Sequence, residues 1–117
     1  MANINFLLTE GPFQTEKWST VSKLAAAALD KGHEVTMFCY LDGIYNGLST
    51  QEFADWEKVP GDYFKELVDK GAEIVCCGIC VNARGQQKGK YFFEGIKVGG
   101  IPDWAAFVGR ADRVITL

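Results

Sequence analysis

Three of the four cysteines in this 117-residue chain, Cys76, Cys77 and Cys80, fall within five positions, in the stretch CCGICVNARG that runs on through Asn82 and Arg84 to Gly85. Thiols so placed have four uses open to them: a redox pair, a metal site, a nucleophile with a companion, or plain apolar packing. Zinc takes about four ligands, and the single histidine, His33, stands just before a predicted strand. That puts it at the opposite edge of a sheet from Cys77, beyond hydrogen-bond reach. A cysteine-histidine hydrolase is therefore disfavoured. So is a closed zinc site, and no metal ligand is assigned.

The elements that must position these thiols follow from hydrophobic period. Asn3 to Thr9 (NINFLLT) is a mostly apolar run ending at Glu10, Gly11 and Pro12, as a buried strand and turn would. Trp18, Val21, Ala25, Ala28 and Leu29 recur at helical spacing, with Thr15 as a cap, Glu16 in the first turn and Gly32 as a stop. Glu34 to Tyr40 (EVTMFCY) is a second strand, broken by Asp42 and Gly43. The connection from Leu41 to Pro60 is long, which marks a functional or interface segment. Ser49 and Glu52 suggest a capping box there, opening a short helix with Phe53 and Trp56.

Asp62 to Lys70 reads as a helix, and Glu73 to Cys77 (EIVCC) as a third strand. Gln86 to Gly95 is a loop by composition, Ile96 to Val98 a short strand, and Pro102 opens a helix carrying Trp104, Phe107, Val108 and Ala111. Arg113 to Leu117 closes the chain as a strand. Apolar strands alternating with helices predict an α/β fold: one domain over residues 1–117, a flavodoxin-like, doubly wound sheet of about five mainly parallel strands.

That architecture separates the cysteines. Sites in such sheets lie beyond the carboxyl ends of the strands, so the loops Glu10 to Thr15, Leu41 to Gly43 and Cys77 to Gly85 should share one edge. Side chains alternate along a strand, so Cys76 and Cys77 face opposite ways; Cys76 and Cys39 read as core. Cys77 sits where the strand ends. A helix starting near Gly78 or Ile79 would favour its thiolate, and Arg84 can add positive charge, although sequence position alone leans toward a solvated arginine. Cys80, three residues on, is either a redox partner or a packed small side chain. The first loop has one glycine and an acidic Glu10, a poor anion nest that leaves flavin only as a weak alternative to no cofactor.

Composition bounds the partners. Hydrophobic residues make up 48% and charged residues 23%, a globular balance, and the net charge of -3 offers no field for nucleic acid or anionic lipid. No apolar run approaches the roughly 20 residues of a membrane helix, and the N-terminus lacks a signal-peptide pattern, so a cytoplasmic protein is expected. Tyr45, Phe53, Trp56, Tyr91, Phe92 and Phe93 fall in the two irregular connections. They serve either as anchors of a subunit interface or as core.

The stretch VCCGICVNARG resembles the DsrE/DsrF/TusD family of small sulfur-relay proteins, whose members carry a cysteine at a strand end and a basic residue with glycine several positions later. The family's cysteine falls on Cys77, and Arg84 and Gly85 match the basic residue and glycine. GPFQ (Gly11 to Gln14), EGIKVGG and the terminal ADRVITL extend the likeness, and the C-G-I-C form is similar to the YchN-like branch. The resemblance implies a flavodoxin-like subunit in homo-oligomers, trimers or hexamers, with a persulfide carried on Cys77 where chemistry is known. Cys77, Cys80 and Arg84 are then the expected catalytic group, with Gly11, Pro12, Asp42, Gly78, Asn82 and Gly85 at the substrate or partner surface. The expected partners are sulfur-donor and sulfur-acceptor proteins or small persulfides. The competing functions are a thiol-disulfide module using Cys77 and Cys80, or a non-catalytic oligomeric regulator.

Overall fold

Parallel pairing of five short apolar segments organises the chain, in a computed structural model that describes residues 1–54 and 57–117. The elements are β1 (Asn3–Leu8), α1 (Lys17–Asp30), β2 (Glu34–Cys39), a 3-10 helix (Leu41–Gly47), α2 (Pro60–Asp69) and β3 (Glu73–Cys77). Then come α3 (Gly78–Ala83), a 3-10 turn (Gln87–Gly89), β4 (Lys97–Gly99), α4 (Ile101–Arg110) and β5 (Arg113–Thr116). The strands lie in the order β4-β3-β2-β1-β5, and every neighbouring pair is parallel. This is the doubly wound α/β fold expected from the sequence. The Cα radius of gyration, 13.1 Å, matches the roughly 13 Å of one folded unit of this length.

Register and handedness place the layers. Phe6, Met37 and Ile74 stand side by side on one face of the sheet, and Leu7, Phe38 and Val75 on the other. The chain steps outward from β1 to β4 and returns past β1 to β5, so right-handed crossovers put α1 and α2 on one face and α4 on the other. Trp104 of α4 meets Phe38, ring centres 6.5 Å apart. Under α1 and α2, Val21, Ala25, Phe64 and Leu67 close on Phe6, Leu8, Met37 and Ile74 to form the core. Burying a side chain such as Phe64 stabilises the fold by about 2–3 kcal/mol.

Several local expectations are corrected. Helix α1 begins at Lys17, with Glu16 at the cap rather than in the first turn, while the Thr15 hydroxyl accepts the Lys17 N–H at 3.3 Å. Helix α2 begins two residues early because Pro60 suits a first turn and the Asp62 carboxylate accepts the Val59 N–H at 3.1 Å. Strand β4 is Lys97–Gly99, one residue later than expected, and α4 ends at Arg110, before Ala111.

The capping box at Ser49 is not made. Both the amide and the hydroxyl of Ser49 donate to the Tyr91 carbonyl at 2.8 Å, and residues 50–54 are not helical. Trp56 lies outside the described residues. The same connection instead opens with the 3-10 helix Leu41–Gly47, which the sequence did not announce. Of the aromatics weighed as interface anchors, Tyr45, Phe92 and Phe93 pack against the core.

Candidate functional site

Gly43 brings the ends of β1 and β2 together. A side chain there would collide with the Leu8 carbonyl oxygen, 2.1 Å from the position a Cβ would take. Gly11, in the loop after β1, packs against Asp42 in the same way, its Cβ position 3.2 Å from the Asp42 carbonyl oxygen. Asn46, fully buried, donates from Nδ2 to the Glu10 carbonyl at 2.9 Å and the Gly43 carbonyl at 3.0 Å. The loops after β1 and β2 are thus clipped together at one edge of the sheet.

The loop after β3 completes the edge. Cys77 ends β3 and caps α3, its sulfur accepting the Cys80 N–H at 3.4 Å. Cys80, one turn later, turns its sulfur back toward the β2 loop and accepts the Leu41 N–H at 3.2 Å. Arg84 follows α3 and folds back: Nε donates to Asp42 Oδ1 at 2.6 Å and Nη1 to the Cys80 carbonyl at 3.2 Å. Gly78 lets β4 come close, since a Cβ would lie 3.0 Å from the Gly99 carbonyl oxygen. Gly85 takes a left-handed φ of +72° and ends the segment.

The thiols are enclosed. Cys77 is 2% exposed and Cys80 6%, where the sequence alone suggested an open thiol at a strand end. Burial raises the Cys80 thiol above its ordinary range, as does the hydrogen bond it shares with Cys77; the Leu41 amide and Arg84 oppose this without reversing it. Cys80 therefore keeps its proton, and its backbone N–H is directed at the Cys77 sulfur. The hydrogen bond to Asp42 holds Arg84 still more firmly in its charged form.

Of the residues expected at the site, Cys77, Cys80, Arg84, Asp42, Gly11 and Gly78 come together. Asn82 does not join them: its Oδ1 accepts the Lys88 N–H at 3.2 Å, on the side of the 3-10 turn. Pro12 lies in the first loop, half-buried. Cys76 and Cys39 stand in register on neighbouring strands, fully buried and hydrogen-bonded to each other, on the face opposite Cys77. His33 is at the far edge, its Nδ1 accepting the Ala2 N–H at 2.9 Å.

Two residues at the site were not picked out from the sequence. Leu41 has φ +53°, a conformation that a residue with a branched side chain rarely adopts and that no sequence signal announces. Asn46 had a faint signal, a short polar side chain after an Asp-Gly turn, but its burial comes from the fold.

This arrangement has relatives. The model of the DsrE/DsrF-like family matches residues 2–117. An uncharacterized protein of Methanopyrus kandleri is 31% identical over 114 residues, covering 96% of this chain and 91% of the relative. Another, from Methanocaldococcus jannaschii, is 32% identical over 112 residues, covering 94% and 95%. Among solved structures, the ychN protein from E. coli superposes with a TM-score of 0.90 at 20% identity, over 100% of both chains. A conserved protein of unknown function from Bacteroides thetaiotaomicron gives 0.70 at 12%, over 98% and 95%. The structural likenesses establish the fold; with the family model spanning nearly every residue, this chain belongs to the DsrE/DsrF-like family.

Proposed function

We propose that this protein is a small sulfur carrier that holds sulfane sulfur as a persulfide on Cys77. Its family suggests sulfur relay at the family level. The observation that carries the reading to particular atoms is the Cys77 sulfur, which accepts the Cys80 backbone N–H at the start of α3, with the Arg84 guanidinium held on the same turn by the Cys80 carbonyl. Such donors stabilise a sulfur anion, whether thiolate or persulfide.

In the first step the Cys77 thiolate attacks the terminal sulfur of a donor persulfide. The donor's S–S bond breaks, a new S–S bond forms on Cys77, and the donor leaves as a thiolate; the oxidation level of the moved sulfur is unchanged. Attack by an acceptor thiolate on that outer sulfur reverses the sequence and delivers it. In a second outcome Cys80 attacks the inner sulfur, releases the outer one as hydrosulfide and leaves a Cys77–Cys80 disulfide, which a small thiol then reduces.

The first loop pairs Glu10 with Lys17 at 3.5 Å, which supports a reading without a resident flavin phosphate. Exposed Ile101 and Val108 on α4, with exposed Val114 and Ile115 on β5, support association of copies into a trimer or hexamer. The carrier is read as cytoplasmic, exchanging sulfur with donor and acceptor proteins and binding neither nucleic acid nor membrane. Among the described residues no helix is long and apolar enough to cross a membrane.

Intact-mass spectrometry after exposure to polysulfide tests this. An adduct of one sulfur, retained in Cys80→Ser and lost in Cys77→Ser, is expected. A two-proton mass loss needing both cysteines, with no adduct, would replace the carrier with a thiol-disulfide module.

A further inference from the structure

A carrier must open its thiol pair to a donor, yet Cys77 and Cys80 are both buried, and the segment lying on the Cys80 sulfur is short. Leu41 lays its amide on Cys80, and Asp42 holds Arg84. On either side of these two residues the backbone is anchored. The Tyr40 N–H donates to the Leu8 carbonyl at 2.9 Å, and the Gly43 N–H to the Tyr40 carbonyl at 2.9 Å. Asn46 holds the Gly43 carbonyl. Leu41 and Asp42 therefore form a two-residue tongue between fixed points.

That tongue is held shut against its own backbone. Leu41 sits at φ +53°, where the Cβ of an L-residue crowds the neighbouring carbonyl, so opening relieves it. The force on the other side is the Asp42–Arg84 ion pair, which solvent reaches, with the two side chains 43% and 24% exposed. When Asp42 leaves, the guanidinium remains on α3 through its hydrogen bond to the Cys80 carbonyl, with N–H donors to spare.

We propose that Leu41 and Asp42 form an anion-operated latch over Cys80, on the side from which a donor would approach the Cys77–Cys80 pair. Asp42 occupies the place on Arg84 that the negative group of an incoming sulfur donor takes, so the site prefers anionic donors to neutral ones. This rests on the sulfur-carrier reading for its biological meaning, while the latch itself is measurable without any sulfur transfer.

The test uses two alkylating agents of nearly one size, anionic iodoacetate and neutral iodoacetamide. Each forms a carbon–sulfur bond to a cysteine thiolate and expels iodide. Rates are followed at the Cys77–Cys80 peptide by mass spectrometry, in wild type, Asp42→Asn, Leu41→Gly and Leu41→Ala. Removing a partly exposed ion pair should raise both rates in Asp42→Asn by about fivefold. It should also raise the ratio of iodoacetate to iodoacetamide rates, because Arg84 is left without its anion. Leu41→Gly and Leu41→Ala lose the same exposed side chain, but only glycine relieves the positive φ, so the glycine variant should react about fivefold more slowly than the alanine variant.

Rates and ratio within twofold of wild type in Asp42→Asn, or equal rates in the two Leu41 variants, would overturn the latch. Circular dichroism of each variant separates these outcomes from unfolding. Polysulfide loading lost while these alkylation differences persist sinks the carrier reading alone; loading intact with no such differences sinks the latch alone.

Discussion

Replacing Gly43 by alanine is the sharpest structural perturbation near the thiols, because its cost has one source. No left-handed φ is involved; the only obstacle is the Leu8 peptide, whose carbonyl oxygen and carbon lie 2.1 and 2.9 Å from the new Cβ. The two backbone segments must part by roughly 1 Å to reach an ordinary carbon–oxygen contact. They are not free to do so: the same Leu8 oxygen accepts the Tyr40 N–H, and the Gly43 carbonyl accepts the buried Asn46 amide. Overpacking costs about 1–3 kcal/mol and a loosened buried hydrogen bond about 1 more, so a loss of about 2–4 kcal/mol is expected. With a urea slope of about 2 kcal/mol per molar, the unfolding midpoint should fall by about 1–2 M.

Two other glycines calibrate the measurement. Gly109 in α4 has nothing within 4 Å of a new Cβ, so Gly109→Ala should stabilise by about 0.5–1 kcal/mol through helix propensity. Gly71 has equally open space but a φ of +107°, so Gly71→Ala should cost about 1 kcal/mol from strain alone. If Gly43→Ala proves no more damaging than Gly71→Ala in urea titrations, the close crossing of β1 and the β2 loop is wrong. The account of how Leu41 reaches Cys80 falls with it.

Further outcomes follow from the core and from charge. Phe64→Ala, at a fully buried position of α2, should cost about 3–5 kcal/mol by thermal or urea unfolding. Glu73→Gln, which breaks a half-exposed pair with Arg110, should change stability by about 1 kcal/mol at most. Stability should also fall at alkaline pH. The hydrogen bond to Cys39 and then burial push the Cys76 thiol well up in the fold, so the folded state holds that proton more tightly than the unfolded one. The contribution is complete below the unfolded thiol value near 8.5 and is lost as pH rises past it, by about 1.4 kcal/mol per pH unit. The gap between urea midpoints at pH 8 and pH 10 should narrow in Cys76→Ala; an unchanged gap refutes the assignment.

The sequence located β3 to the residue, and β1, β2, α1, α4 and β5 within one or two positions, because hydrophobic period and turn residues act over a few neighbours. Local signals failed where a distant partner outbid them. Ser49 was expected to cap a helix, but its amide and hydroxyl both turn to the Tyr91 carbonyl, and residues 50–54 are not helical. Arg84 looked like a solvated arginine, since the carboxylate that captures it lies 42 residues back in the chain. Cys76 and Cys77 do face opposite sides of the sheet, because strand alternation is itself a local rule, but both are buried, so the contrast between a core thiol and an open one was lost.

What the sequence by itself determined, then, was the alternation of strands and helices, the edge at which Cys77 and Cys80 lie, and the opposite facing of the adjacent Cys76 and Cys77. Each rests on spacing within a few residues. Only the tertiary structure decided how the thiols are kept. The Leu41 amide reaches Cys80 across 39 residues, Asp42 pairs with Arg84, and a glycine lets two loops touch. None of these contacts is encoded by neighbours in the chain. They exist because the sheet brings three loops to one edge, where backbone groups and charges find partners that spacing along the sequence does not reveal.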